Sequence, residues 1–157
     1  MSADSRDRSS RIVIIGVGNE YRGDDAIGLI AARRLREHLG PQANIRELSG
    51  EGAAVIEAMQ GVDIAIIIDA AESGADPGTI FRYDASSEKI PTGHFHYSTH
   101  AFSVAEAVET ARALGQLPKM VIVYGIEGKS FDYRTELSSG LDDAIDNVVD
   151  SVLSEIP

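Results

Sequence analysis

The chain has 157 residues, carries a formal net charge of −11, is 43% apolar and contains no cysteine or tryptophan. That length suits one compact domain, and the apolar content excludes wholesale disorder. The missing cysteines exclude a disulfide scaffold, an iron–sulfur centre, a thiolate zinc site and a cysteine nucleophile, while the acidic balance excludes nucleic acid as a main partner.

The opening MSADSRDRSSR is rich in Ser, Arg and Asp and has no apolar segment ahead of a cleavage site. It reads as a disordered lead-in over residues 1–10 rather than a secretory signal. Residues 12–17 form a continuous apolar run that stops at glycines, the mark of a strand buried on both faces. Residues 24–39 carry Ile27, Ile30, Ala31, Leu35 and Leu39 on one helical stripe, with Arg33, Arg34, Arg36 and Glu37 on the wet side and Gly40-Pro41 as a stop. His38 on this helix is expected to be solvated.

A weaker strand at 43–48 and a short helix at 51–60 follow. The strongest strand, 62–69, ends on the carboxylate of Asp69. After the turn Asp76-Pro77-Gly78, residues 79–83 read as a further strand, a candidate for antiparallel pairing. A helix is expected at 101–114, a strand at 119–124 and a last helix at 141–156, where Leu141, Ile145, Val148, Val149, Val152, Leu153 and Ile156 make one stripe. No stretch approaches the roughly 18 apolar residues of a membrane span, so no membrane partner is expected and the cytoplasm is the expected address.

Alternating strands and helices predict an α/β fold with a mainly parallel twisted sheet of about five strands and helices on both faces, formed by one domain over residues 11–157. Such sheets bind ligands beyond the carboxyl ends of their strands, where the strand order reverses.

Two phosphate-binding motifs fail at that edge. Gly16-Val17-Gly18 follows the first strand, but the third glycine of a dinucleotide fingerprint falls on Tyr21, and Glu20, Asp24 and Asp25 fill the loop with negative charge. Gly125-Ile126-Glu127-Gly128-Lys129-Ser130 ends like a Walker loop, yet the required first glycine falls on Val123.

A cation suits this edge better. Asp25 lies past the first strand, Asp69 ends the third and His100 opens a helix, so two carboxylates and an imidazole converge as a mixed O/O/N set for a divalent first-row metal, with coordination positions left open. Of the adjacent pair, Asp24 is assigned to helix capping and Asp25 to the metal. A charge ending an aliphatic run is costly unless paired or coordinated, which singles out Asp69. His94 and His96 share a face if their segment is extended, and compete with His100 for the imidazole role.

These residues resemble the nickel–iron hydrogenase maturation endopeptidases. The resemblance runs from Arg11 to the last helix and rests on Gly16-Val17-Gly18-Asn19, Asp24-Asp25, Gly28, Asp69-Ala70, Ser98-Thr99-His100, Gly125-Ile126-Glu127 and Leu137-Ser138. It implies a three-layer, phosphorylase/hydrolase-like fold and hydrolysis of one peptide bond near the C-terminus of a hydrogenase large-subunit precursor after nickel insertion. It places the metal-contacting and catalytic positions on Asp25, Asp69 and His100, with Asn19 available to orient a carboxylate or the scissile carbonyl. It further implies that nickel is recognised in the precursor, that no cofactor is permanently bound, and that zinc or cadmium can enter the same site. The expected partner is that precursor, with the enzyme itself a monomer.

The family's Asp-Gly-Gly-Thr segment is replaced here by Ser49-Gly50-Glu51-Gly52, which implies a different hydrogenase partner. Competing readings are a non-catalytic metal-sensing or metal-delivery module and a nucleotide-binding α/β protein. The net charge biases the partner's docking surface toward basic.

Overall fold

The computed structural model describes residues 11–91 and 104–157. Strands β1 (Ile12–Val17), β2 (Ile45–Leu48), β3 (Ile64–Ala71), β4 (Ile80–Asp84) and β5 (Met120–Glu127) form one sheet in the order β2-β1-β3-β5-β4. Every pairing is parallel except the edge pair β4–β5. The helices are α1 (Ile27–Leu39), α2 (Gly52–Met59), α3 (Val104–Ala113) and α4 (Leu141–Glu155).

Side-chain alternation along the central strands feeds two cores. Val13, Ile15, Ala65, Ile67, Val121 and Val123 face α2 and α3. Their neighbours Ile14, Ile66, Ile68, Ile122, Tyr124 and Ile126 face α1 and α4. Both faces are therefore apolar, which is why these strands read as unbroken Ile/Val runs. Each fully buried Val, Leu or Ile side chain contributes roughly 1.5–3 kcal/mol. The three-layer α/β architecture expected from the sequence is the one observed, including the antiparallel edge strand.

Three boundaries at the carboxyl edge differ from expectation. Residues Gly23–Ala26 form a 3₁₀ turn ahead of α1, so the regular helix begins only at Ile27. Strand β3 continues through Asp69 to Ala71, and β5 continues through Gly125 and Ile126 to Glu127 instead of turning there. The two extensions support each other, because Asp69 pairs with Gly125 and Ala71 with Glu127. The helix expected at 101–114 is observed as Val104–Ala113, and its first expected residues lie outside those described. The expected lead-in over residues 1–10 also lies outside them.

The first helix crosses the sheet at very short range. A Cβ on Gly28 would lie 2.3 Å from the carbonyl oxygens of both Ile68 and Val17, and one on Gly16 would lie 2.2 Å from the carbonyl of Gly28. This pair supplies the close helix–strand approach that Tyr21 could not. Gly28→Ala should therefore cost about 3 kcal/mol, since neither strand backbone can yield without breaking the ladder. For a domain of this size that is a fall of about 6–12 °C in Tm, measurable by circular dichroism. A Tm within about 2 °C of the parent would show that α1 can slide to make room.

Candidate active site

The strand order reverses between β1 and β3, so the crevice above their carboxyl ends is the binding position that an open α/β sheet provides. Four buried charged side chains gather along this edge: Asp24, Asp25, Asp69 and Glu127. They divide into two pairs with different surroundings.

Asp24 and Glu127 are saturated by the chain itself. The Asp24 carboxylate, 0% exposed, accepts from the N–H groups of Lys129 at 2.7 Å, Ser130 at 2.9 Å and Ser138 at 2.7 Å, and from the Ser138 hydroxyl at 2.8 Å. Burial alone would raise its pKa, but these donors prevail and hold it below the usual carboxylate value. The capping assignment for Asp24 is thereby corrected: its side chain caps no helix and instead ties the 3₁₀ turn to residues 129–138. The Gly-Lys-Ser segment does cradle an anion with its backbone, and that anion is Asp24.

Glu127 closes the other side. Its carboxylate accepts from the Ser73 N–H at 3.0 Å, the Ser73 hydroxyl at 2.6 Å and the Gly74 N–H at 3.3 Å, fastening the segment after β3 to the end of β5. Sequence reasoning gave it no separate role. The signal was present, because Glu127 ends an aliphatic strand just as Asp69 was thought to do.

Asp25 and Asp69 form the second pair. Asp69 is 3% exposed and Asp25 4% exposed. The Asp69 carboxylate accepts the N–H of Ala70 at 2.8 Å. Burial first, and then the negative charge of Asp25, push the Asp69 carboxyl well above its ordinary range. Two carboxylates whose charges act on each other in a dry crevice favour a shared proton or a cation between them. That electrostatic demand, together with hard oxygen donors, fits a divalent ion.

The loop that carries Asp25 is fixed by its backbone. The carbonyl of Asp25 accepts from Asn19 N–H at 3.3 Å, and its own N–H donates to the Arg22 carbonyl at 3.1 Å. A Cβ on Gly18 would lie 2.0 Å from the Asp25 carbonyl oxygen. The Asn19 side chain uses its oxygen to accept the Tyr21 N–H at 2.9 Å, leaving its NH₂ as the group with which it could orient a ligand.

The structure thus brings together two of the three expected ligands. His100, and its competitors His94 and His96, lie outside the described residues, as do Ser98 and Thr99. Among the described residues no three His, Cys, Asp or Glu side chains gather as a metal cluster. Glu51 is exposed and stands at the N-terminus of α2, its carbonyl accepting from Ala54 and Val55 while its side chain makes no capping bond. His38 is exposed, as expected. A cavity of about 460 Å³ opens at the opposite, amino edge of the sheet, lined by Arg11, Ile14, Leu39, Asn44, Val62 and Ile156 among others. No carboxylate or imidazole among the described residues lines it. No helix among the described residues is long and apolar enough to cross a membrane.

Comparison with known proteins gives the family. The family model described as HycI, hydrogenase maturation protease, matches residues 31–155. The hydrogenase expression/formation protein HupD of Thiocapsa roseopersicina is 26% identical over 123 residues, 77% of this chain and 56% of that protein. The chain therefore spans little more than half the length of that relative. Hydrogenase 2 maturation protease of Escherichia coli is 27% identical over 150 residues, 93% of this chain and 90% of the relative. Among solved structures, the hydrogenase maturating endopeptidase HybD from E. coli matches with a TM-score of 0.72 at 26% identity, over 92% of this chain and 90% of that one. The HybD structure from Thermococcus kodakarensis, at 24% identity, has the same fold, with a TM-score of 0.74 over 94% of this chain and 99% of that one.

Proposed function

Since the chain belongs to the hydrogenase maturation protease family, a family of peptide-bond hydrolases, we propose that it is the endopeptidase that removes a C-terminal extension from a nickel–iron hydrogenase large-subunit precursor once nickel has been inserted. The observation that carries this reading is the pair of buried carboxylates, Asp25 and Asp69, at the switch point of the sheet. Asp24 and Glu127 have their hydrogen-bonding capacity taken up by the fold; at Asp69, burial and the neighbouring charge of Asp25 favour a proton or a cation.

In this reading the nickel belongs to the substrate. The precursor brings the ion, and Asp25, Asp69 and His100 complete its coordination, two oxygens and one imidazole nitrogen being suited to a divalent first-row metal. Binding then depends on the loaded precursor, which makes nickel insertion the licence for cleavage. Zinc or cadmium would fill the same donor set when no precursor is present. The NH₂ of Asn19 would orient the scissile carbonyl or the Asp25 carboxylate. The enzyme would act as a monomer in the cytoplasm.

The test is intact-mass spectrometry of a cognate large-subunit precursor incubated with the protein, with and without nickel loaded. Loss of one discrete C-terminal fragment, in the nickel-loaded sample alone, is the expected result. Cleavage regardless of nickel would keep the protease and discard the metal gate. A verified cognate precursor left uncut in both samples would overturn the assignment.

A further inference from the structure

Beside the carboxylate pair the surface changes character. The segment just before Asp25 runs alongside residues 130–134 as a short ladder. Arg22 bridges Arg134, the Gly23 N–H donates to the Arg134 carbonyl at 2.9 Å, and the Arg134 N–H donates to the Tyr21 carbonyl at 3.0 Å. Asp24 roots the ladder through its bonds to Lys129, Ser130 and Ser138. Its position is thus fixed relative to Asp25, one residue away.

Two aromatic rings project from the ladder into solvent, Tyr21 at 62% and Tyr133 at 79% exposure. The Arg22 guanidinium lies over the Tyr133 ring, 4.5 Å from its centroid. A stacked guanidinium keeps the N–H donors on its edge, pre-ordered for a planar, bidentate partner. Arg134 is steadied by the Ser138 hydroxyl at 2.7 Å, and Lys129 is exposed at the ladder's root.

Charge pairing differs from place to place on the surface. Arg33, Arg34, Arg36, Arg82 and Arg112 are each engaged by a carboxylate. Among the described residues no carboxylate lies within ion-pair distance of Arg22, Lys129 or Arg134. Of the nearby carboxylates, Glu20 is engaged by Arg33 and Asp132 by the Ser130 hydroxyl, while Glu136 stands exposed two residues beyond Arg134. In a chain of net charge −11, two guanidiniums with no carboxylate partner among the described residues, each steadied by a neighbouring side chain beside the crevice, offer donors to an incoming anion.

We infer that this ledge is the subsite for an acidic side chain of the precursor's C-terminal segment, with Arg22 and Arg134 as specificity-determining residues and Tyr21 and Tyr133 as the apolar floor for its neighbours. The inference rests on the function proposed above. The occupant is an acidic peptide because a carboxylate answers the bidentate edge of Arg22, and the adjoining crevice must receive the same polypeptide.

The test uses the full chain and a nickel-loaded precursor. The charge reversal Arg22→Glu with Arg134→Glu should raise KM about tenfold or more. A precursor in which Lys replaces the acidic residues around the cleaved bond should restore KM to within about threefold of the parental pair. Lys119→Glu, at the opposite edge of the sheet, controls for the change in net charge and should leave KM where it was. If the parent cleaves and the reversal leaves KM unaltered, the inference is overturned while the function stands. A rise in KM that the lysine-bearing precursor does not rescue also overturns it, since that marks a structural defect and not a charge contact. If the parent itself cleaves no precursor, the function falls and the inference with it.

Discussion

Replacing Asp69 with Asn should abolish processing while leaving the metal-free protein at least as stable as the parent. The carboxylate sits in a crevice where burial, and then the charge of Asp25, oppose its ionisation. Asn keeps the side-chain oxygen that accepts the Ala70 N–H at 2.8 Å and removes the repulsion. A group with a raised folded pKa favours the folded state most when protonated. The parent therefore gives up stability as pH climbs from the ordinary Asp value of 3.8 toward the raised folded value, and the Asn variant lacks that loss. Cleavage of a nickel-loaded precursor should fall at least about a thousandfold, as expected for removing a charged group at the reaction centre. Thermal melts across the acidic to neutral range, paired with the processing assay, measure both effects. A variant that still processes would remove Asp69 from the site, and one that melts earlier at every pH would make the residue a structural anchor instead.

Asp24 should show the reverse profile, with a large structural cost. Its carboxylate accepts three backbone N–H groups and one hydroxyl, with distances between 2.7 and 2.9 Å. Asp24→Asn would turn an NH₂ group toward donors, leaving at least one backbone N–H without a partner. The expected cost is about 3 kcal/mol, a fall of roughly 6–12 °C in Tm. The pH dependence has the opposite sign to that of Asp69. Because hydrogen bonding holds Asp24 below its ordinary value of 3.8, its stabilisation is full above that value and is lost as pH falls through the depressed folded pKa. The ladder at 130–134 should loosen as well, so limited proteolysis of the variant is expected to cut within residues 129–138 where the parent resists. An unchanged Tm with no new cleavage site would show that other contacts hold this segment.

These two neighbouring roles explain a limit of sequence reading. Asp24 and Asp25 have identical chemistry and lie one position apart, and capping was a sound expectation for one of them. What decided the matter was the arrival of Lys129, Ser130 and Ser138, more than a hundred residues downstream, whose amides no local pattern connects to a carboxylate at position 24. The missing third glycine of the dinucleotide fingerprint is a similar case. Its packing role passed to Gly28, which local spacing did not suggest and which the crossing of α1 over β1 and β3 requires.

The sequence by itself determined the layers, because buried parallel strands must read as unbroken Ile/Val runs and covering helices must carry one apolar stripe. It also determined which carboxylates to suspect: Asp25 follows a glycine turn, and Asp69 interrupts an aliphatic strand. Tertiary structure alone decided what surrounds each carboxylate. Asp24 and Glu127 meet converging N–H groups and serve the fold, while Asp69 is buried within reach of the charge of Asp25. The physical reason is that a carboxylate's role depends on the donors and charges around it in space, and at this edge those come from chain segments far apart in sequence.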